Sequence, residues 1–282
     1  MDLEKILPTN GPSIDEVKKY IEKYLEEIIV IKCGGSVLLD ENLFKQFIED
    51  ISVIYKLGLS VIVVHGGGKN IKKKLDELNI ESKFIDGLRV TDEITIKVVE
   101  EALLELNSEI INNLKNLQIE AESISPRNNN IIKIKPEKKE LGFVGSPKEI
   151  DSKAILKIIK EKKIPIVVPM GTSDDKKTYN INADIAAGSI AKELNSRRLL
   201  LMTDVEGVLD KDKKLIPEIN SSIAEKMLKD GDISGGMIPK INTCLDAVNN
   251  GVTGVVIVDG RKPHSILFEL FSDKGSGTLI RK

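Results

Sequence analysis

Apolar residues fall along this chain in two alternating patterns. Short, nearly unbroken runs at Ile28 to Cys33, Ser60 to Val64, Ile164 to Pro169, Leu199 to Thr203 and Gly254 to Val258 read as strands buried on both faces. Between them apolar positions recur every three or four residues over Glu41 to Leu57, Asn70 to Leu78, Glu93 to Leu114, Ser152 to Lys160, Ala183 to Leu194 and Lys240 to Asn249, the period of amphipathic helices. The alternation predicts an α/β fold, a three-layer α/β/α sandwich around a mainly parallel sheet. Ile119 to Val144 departs from this rhythm and predicts hairpins beside the main sheet.

A further helix is predicted over Ser13 to Tyr24. Ser13 stands three residues before Glu16, the spacing of a capping box, and Ile14, Val17, Ile21 and Leu25 form one apolar stripe. So short a helix is marginal alone, so the stripe needs a surface, either the chain's own core or another subunit.

Composition narrows the class. With 44 acidic against 42 basic residues there is no overall field to draw nucleic acid or an anionic membrane. Lys72, Lys73 and Lys74 share a helix with Leu75 and Leu78 and read as a solvated face. Cys33 and Cys244 have neither disulfide-framework nor zinc-ligand spacing, which fits a reducing compartment. The acidic first thirty residues do not suit a targeting peptide, and no apolar run reaches the ~20 residues of a membrane span, so a cytoplasmic location is expected.

Two glycine-rich turns follow strands: Lys32-Cys33-Gly34-Gly35-Ser36 and His65-Gly66-Gly67-Gly68. Such turns expose backbone N–H groups to an anion, although glycine after a strand is more often simple turn chemistry. Neither matches the P-loop or the dinucleotide fingerprint, since Gly68-Lys69 is followed by Asn70 and Gly66-Gly67-Gly68 by Lys69-Asn70-Ile71. No G-x-S-x-G elbow accompanies the histidine-glycine run, which disfavours an esterase. Arg89, in Gly87-Leu88-Arg89-Val90-Thr91-Asp92, suits a bidentate grip on a carboxylate or a surface ion pair. Asn180-Ile181-Asn182-Ala183-Asp184 opens a helix, where its asparagines either cap or touch substrate. Thr203 to Leu209 follows a strand, and Gly235-Gly236-Met237-Ile238-Pro239-Lys240 sets a lysine at a helix start.

Taken in order from Ile28 to the C-terminus, these segments resemble the amino acid kinase family. The lysine with Gly34-Gly35 is shared with aspartokinases, uridylate kinases and carbamate kinases. His65-Gly66-Gly67-Gly68, Gly87 to Asp92 and Asn180 to Asp184 together are similar to the acetylglutamate kinases within it. The resemblance implies transfer of the terminal phosphoryl group of ATP, with Mg2+, to the side-chain carboxylate of N-acetyl-L-glutamate, the second step of arginine biosynthesis. It implies catalytic roles for Lys32, Lys240 and Asp184, with Asp184 holding the two lysines in place. Acetylglutamate would be bound by Gly67, Gly68, Arg89 and Asn180. Nucleotide would be bound by Gly34, Gly35, Asp204, Val205, Glu206, Gly207, Val208, Leu209, Asp232, Ile233 and Ser234. No protein residue is implied as a dedicated metal ligand. Cys33 departs from the usual tyrosine or leucine, and its side chain is expected to face the core.

The tail, His264 to Thr278, reads as an amphipathic helix running into a glycine turn. It is similar to the arginine-binding tail of feedback-inhibited members, which implies effector roles for His264, Glu269, Gly275 and Gly277. Those members carry an N-terminal helix that joins dimers into a hexamer, a trimer of dimers. The implied division is 1–26 for oligomerisation, 27–195 for acetylglutamate and 196–282 for ATP and the arginine tail. A PII-type signalling partner is possible in such systems. The rival readings are a kinase for carrier-protein-linked aminoadipate in lysine biosynthesis and a non-catalytic arginine sensor.

Overall fold

The computed structural model describes residues 2–282. In chain order its first elements are α1 (Leu3–Ile6), α2 (Ile14–Ile21), β1 (Ile28–Cys33), α3 (Glu41–Lys56) and β2 (Ser60–His65). There follow α4 (Gly68–Glu77), β3 (Phe84–Ile85), β4 (Leu88–Arg89), α5 (Glu93–Asn116), β5 (Ala121–Ile124), β6 (Ile132–Pro136), β7 (Gly145–Ile150) and α6 (Ser152–Lys160). The chain continues through β8 (Ile164–Val167), β9 (Met170–Thr172), β10 (Thr178–Asn180), α7 (Ala183–Glu193) and β11 (Arg198–Thr203). It ends with β12 (Glu218–Asn220), α8 (Ser221–Lys229), α9 (Met237–Asn249), β13 (Val255–Asp259), α10 (Ser265–Phe271) and β14 (Gly277–Arg281). The alternation of strand and helix is the expected α/β pattern.

Contacts divide the chain into two compact units. One holds the chain up to Ile62 together with Ala191–Lys282, and the other holds Val63–Ile190. In the first unit β1 pairs in parallel with β11 and β11 with β13, while β14 runs antiparallel to β13 and parallel to β12. Pairing with β11 is what groups β1 with C-terminal strands far away in sequence. β13 is buried throughout, and β1 and β11 are buried at all but their half-exposed positions. This accounts for their unbroken apolar runs. Phe47, Ile51 and Ile54 recur at helical spacing on α3 and are fully buried. Cys33 is buried as expected.

The second unit has a parallel set in which β8 lies between β2 and β5. Beside the parallel set is a four-stranded sheet, ordered β10-β9-β6-β7, that is mostly antiparallel. The irregular Ile119 to Val144 segment is thus divided. Ala121–Ile124 joins the parallel strands, against the expectation of hairpins only, whereas β6 pairs antiparallel with β7. Ala121 to Ile124 is too short to carry a periodicity signal, and its place is set by its neighbour β8. Helices α4 and α5 bury Ile71, Leu75, Val99 and Leu103 in one apolar cluster with Val168 and Met170.

The N-terminal helix has the predicted capping box. Ser13 Oγ accepts the Glu16 N–H, and a Glu16 carboxylate oxygen accepts the Ser13 N–H at 3.0 Å. Val17 and Tyr24 are buried, and the Tyr24 ring meets Phe271 of α10 edge-on at 6.1 Å between centroids. Asp273, just past α10, accepts from the Lys19 ammonium at 2.6 Å and from the Tyr20 hydroxyl. Part of the stripe is therefore satisfied within the chain, while Leu25 stays 48% exposed.

Phe271 carries this docking from the core side and is fully buried. Phe271→Ala should lower stability by about 3–5 kcal/mol, read as a shift in the urea unfolding midpoint. A change below about 1 kcal/mol would show that the tail helix contributes little to the core.

Candidate active site

Lys32 is the penultimate residue of β1, paired in register with Leu201 of β11, and is half-buried. The chain leaves β1 through Gly34 and Gly35. Gly35 has φ +67°, and a Cβ there would lie 2.6 Å from Asp204 Oδ1. Both facts favour glycine. The same Asp204 oxygen accepts from the Ser36 hydroxyl at 2.7 Å and from its N–H at 3.2 Å. Asp204 stands just after β11, so one carboxylate clips the turn after β1 to the turn after β11. Of the other residues expected to bind nucleotide, Val205 and Glu206 are exposed, and Glu206 pairs with Lys262 at 3.1 Å. Gly207 has φ +144°, and the Val208 N–H donates to Thr278 Oγ1 at 2.8 Å. Leu209 bridges to Leu215.

Asp232, Ile233 and Ser234 join α8 to α9. Ile233 is buried, Asp232 lies 3.7 Å from the Lys211 ammonium, and the Ser234 carbonyl accepts the Met237 N–H. Lys240 occupies the first turn of α9, half-buried, as the sequence predicted.

In the second unit Gly67 is the N-cap of α4 and Gly68 its first residue. Arg89 is only 8% exposed. It donates through Nη2 to the Gly68 carbonyl at 3.1 Å and through Nη1 to the Ser82 hydroxyl, and it lies over the Phe84 ring at 4.8 Å. The surface ion-pair reading therefore fails, because the guanidinium is braced against the glycine loop by neutral partners. Burial pushes its pKa down. A buried cation held this way favours an anionic ligand beside the loop. Asn180 ends β10, and its N–H donates to the Phe143 carbonyl at 2.9 Å. Asn182 is the capping residue, since its Oδ1 accepts from the Asp184 N–H at 2.9 Å. Asp184 then sits in the first turn of α7.

Sequence reasoning missed the partners behind these turns: Ser36, Ser82, and above all Asn107. His65 is fully buried, with Nδ1 2.9 Å from the Gly66 carbonyl oxygen and Nε2 3.2 Å from the Asn107 amide nitrogen. The Asn107 amide also donates to the Ile166 carbonyl at 3.0 Å. The available signal was an asparagine on the apolar face of α5, between Leu103, Leu106 and Ile110.

The tail residues are partly brought together. Gly275 and Gly277 line a cavity of about 330 Å³ with Leu215, Lys262, Phe268 and Ser276. Glu269 lies under that turn, accepting the Ser276 N–H at 2.8 Å, and burial raises its pKa. His264 instead turns to Asp50 of α3, with Nδ1 2.6 Å from Oδ1 and both side chains buried.

The sequence profile of the amino acid kinase family matches residues 27–259. The chain belongs to the amino acid kinase family. This family member is 58% identical over 281 residues to an acetylglutamate kinase of Pelagibacter ubique (strain HTCC1062), covering 100% of this chain and 98% of that one. It is 42% identical over 296 residues to an acetylglutamate kinase of Nitrobacter winogradskyi, covering 100% and 99%. Among solved structures it shares the fold of N-acetylglutamate synthase from Neisseria gonorrhoeae, complexed with coenzyme A and N-acetyl-glutamate. That match has a TM-score of 0.87 at 23% identity and covers 95% of this kinase. The kinase spans 62% of that neighbour's length.

The buried Asp50–His264 pair makes stability depend on pH. Burial raises Asp50 to about 6, and the bond to Asp50 raises His264. The folded pair therefore holds protons that the unfolded chain has released, so its contribution declines as pH rises from about 4 through neutrality. Asp50→Asn should flatten this decline, measured as the difference between wild-type and variant melting temperatures from about pH 5 to 8. Parallel curves would contradict it.

Proposed function

We propose that this kinase transfers the terminal phosphoryl group of ATP to the side-chain carboxylate of N-acetyl-L-glutamate, within arginine biosynthesis in the cytoplasm. The observation that carries the reading is Arg89, buried and held against the Gly68 carbonyl at the N-terminus of α4. A carboxylate ligand matches that combination of one cation and preset N–H donors. Full-length similarity to curated acetylglutamate kinases supports the identity of the acid.

The chemistry needs no general base. A glutamate side chain titrates near ~4.3, so the nucleophile is ionised at neutral pH. One carboxylate oxygen attacks the γ-phosphorus, the bond to the bridging oxygen breaks, and ADP leaves with that electron pair. No net proton moves. The barrier lies in bringing two anions together and in stabilising charge on the moving phosphoryl oxygens. Lys32 and Lys240 supply that charge, and Asp184 is the acidic member of the proposed catalytic set. Magnesium arrives with the nucleotide as MgATP. Gly34, Gly35 and the segments 204–209 and 232–234 receive the nucleotide, while Gly67, Gly68, Arg89 and Asn180 receive acetylglutamate. In these terms the unit Val63–Ile190 receives acetylglutamate, and the unit that joins the chain up to Ile62 to Ala191–Lys282 receives the nucleotide.

Arginine binds at the tail cavity, with Glu269 meeting the guanidinium group and Gly275 and Gly277 the backbone end. Among the described residues Glu269 accepts no hydrogen bond from a cation, although Arg198 is near enough to oppose the rise that burial gives its pKa, and this supports that role. Leu25, left exposed by the docking of α2, is available to a neighbouring subunit in a hexamer, a trimer of dimers joined through residues 1–26.

ATP consumption should depend on acetylglutamate, with the acyl phosphate trapped by hydroxylamine. Glutamate and aminoadipate derivatives should give little turnover, and preference for a carrier-linked aminoadipate would overturn the reading. Lys32→Ala and Lys240→Ala should each lower kcat by about 10²-fold or more, whereas Arg89→Ala should mainly raise the KM for acetylglutamate. Equal small effects from all three would contradict these roles. Millimolar arginine should inhibit a hexamer. Dimers indifferent to arginine would remove the regulatory proposal and leave the kinase reading intact.

A further inference from the structure

The His65–Asn107 pair has a definite hydrogen-bond direction, because both of its ends are carbonyl oxygens. The Ile166 carbonyl can only accept, so the nitrogen of the Asn107 amide must face it. The second hydrogen of that amide points at His65 Nε2, which must therefore be the unprotonated ring nitrogen. His65 Nδ1 must then carry the ring proton, and it donates to the Gly66 carbonyl oxygen. One arrangement of hydrogens satisfies all three acceptors with a neutral imidazole. Full burial independently disfavours the charged ring and lowers the His65 pKa to about 4, so the arrangement persists at neutral pH.

The Gly66 carbonyl belongs to the same rigid peptide unit as the Gly67 N–H. In a trans peptide the C=O and N–H point in opposite directions, so fixing one fixes the other. Glycines on both sides leave this peptide otherwise free to rotate. Gly67 is also seated against α5, where a Cβ would lie 2.5 Å from Leu103 Cδ2, one helical turn from Asn107.

We propose that His65 and Asn107 are positioning residues for acetylglutamate: the His65 Nδ1–H locks the Gly66–Gly67 peptide so that the Gly67 N–H faces the substrate, and Asn107 sets the ring tautomer that makes this possible. The inference rests on the acetylglutamate-binding role proposed above for Gly67. Neither residue touches substrate. Their effect is to remove the rotation that the loop would otherwise lose on binding.

Two substitutions separate this role from a merely structural one. In His65→Asn the amide nitrogen takes the place of Nδ1 and can still donate to Gly66, while the bond from Asn107 is lost. In His65→Gln the amide reaches the position of Nε2 and can keep Asn107, while the donor to Gly66 is lost. The KM for acetylglutamate should rise about tenfold or more in His65→Gln and stay within about threefold of wild type in His65→Asn, with the KM for ATP little changed in both. Equal effects, or a larger effect in His65→Asn, would overturn the proposal.

A measurement on the unaltered protein covers the case in which neither variant folds. The chain has 2 histidines, so histidine labelled with 15N gives two ring systems to resolve by NMR. The His65 proton should sit on Nδ1 with Nε2 bare at about pH 7. A proton on Nε2 would overturn the proposal whatever the enzyme's substrate. Absence of acetylglutamate-dependent turnover in the wild type, with the Nδ1 tautomer intact, would instead count against the functional reading and the substrate role of the lock.

Discussion

A backbone N–H grips an anion well only when its peptide cannot rotate away, and glycine, which lets a ligand approach, also gives the least resistance to rotation. Both glycine turns of this kinase face that conflict, and each is steadied from behind by a polar side chain. Asp204 holds the turn after β1 through Ser36, and His65 holds the peptide that opens the turn after β2. Arg89 adds a second hold on the latter through the Gly68 carbonyl. The chemistry proposed for the protein requires such preset donors, since phosphoryl transfer between two anions depends on positioning and charge more than on proton movement.

The holding groups differ in charge where that matters. His65 is kept neutral, so the loop proposed to receive acetylglutamate owes its positive character to Arg89 and to the N-terminus of α4. Asp204 lies behind Gly35, where glycine allows it close contact with the turn. Around the tail, the buried Asp50 and the half-buried Glu269 both have raised pKa values, and each braces a different feature. Asp50 takes His264 and Glu269 takes the Ser276 amide, which leaves the glycine turn of residues 275–277 beside an open cavity.

Much of this was legible in the sequence, and the reasons are specific. The runs at Ile28, Ser60, Leu199 and Gly254 were readable because strands buried on both faces need apolar residues at nearly every position. Ser13 with Glu16 announced the start of α2 through a local bond that spacing alone predicts. Strand order was not legible, because the pairing of β1 with β11 joins segments some 170 residues apart, and this decides which unit the first sixty residues enter. Arg89 stood out in its glycine-bounded loop as suited either to a carboxylate or to a surface ion pair, but its burial and its hold on Gly68 depend on tertiary contact. His65 was visible only as the head of a glycine run. Its partner Asn107 is 42 residues away on another element, and only its misplaced polarity on an apolar helix face could have flagged it.

Two separately braced turns should report two different ligands. Backbone amide NMR on the 15N-labelled protein, titrated in turn with acetylglutamate and with a non-hydrolysable ATP analogue, tests this directly. Acetylglutamate should shift the amides of Gly67 and Gly68 first, and the nucleotide those of Gly34 to Ser36. If neither glycine turn responds to either ligand while binding is observed elsewhere, the claim that these turns are the anion-gripping elements is contradicted.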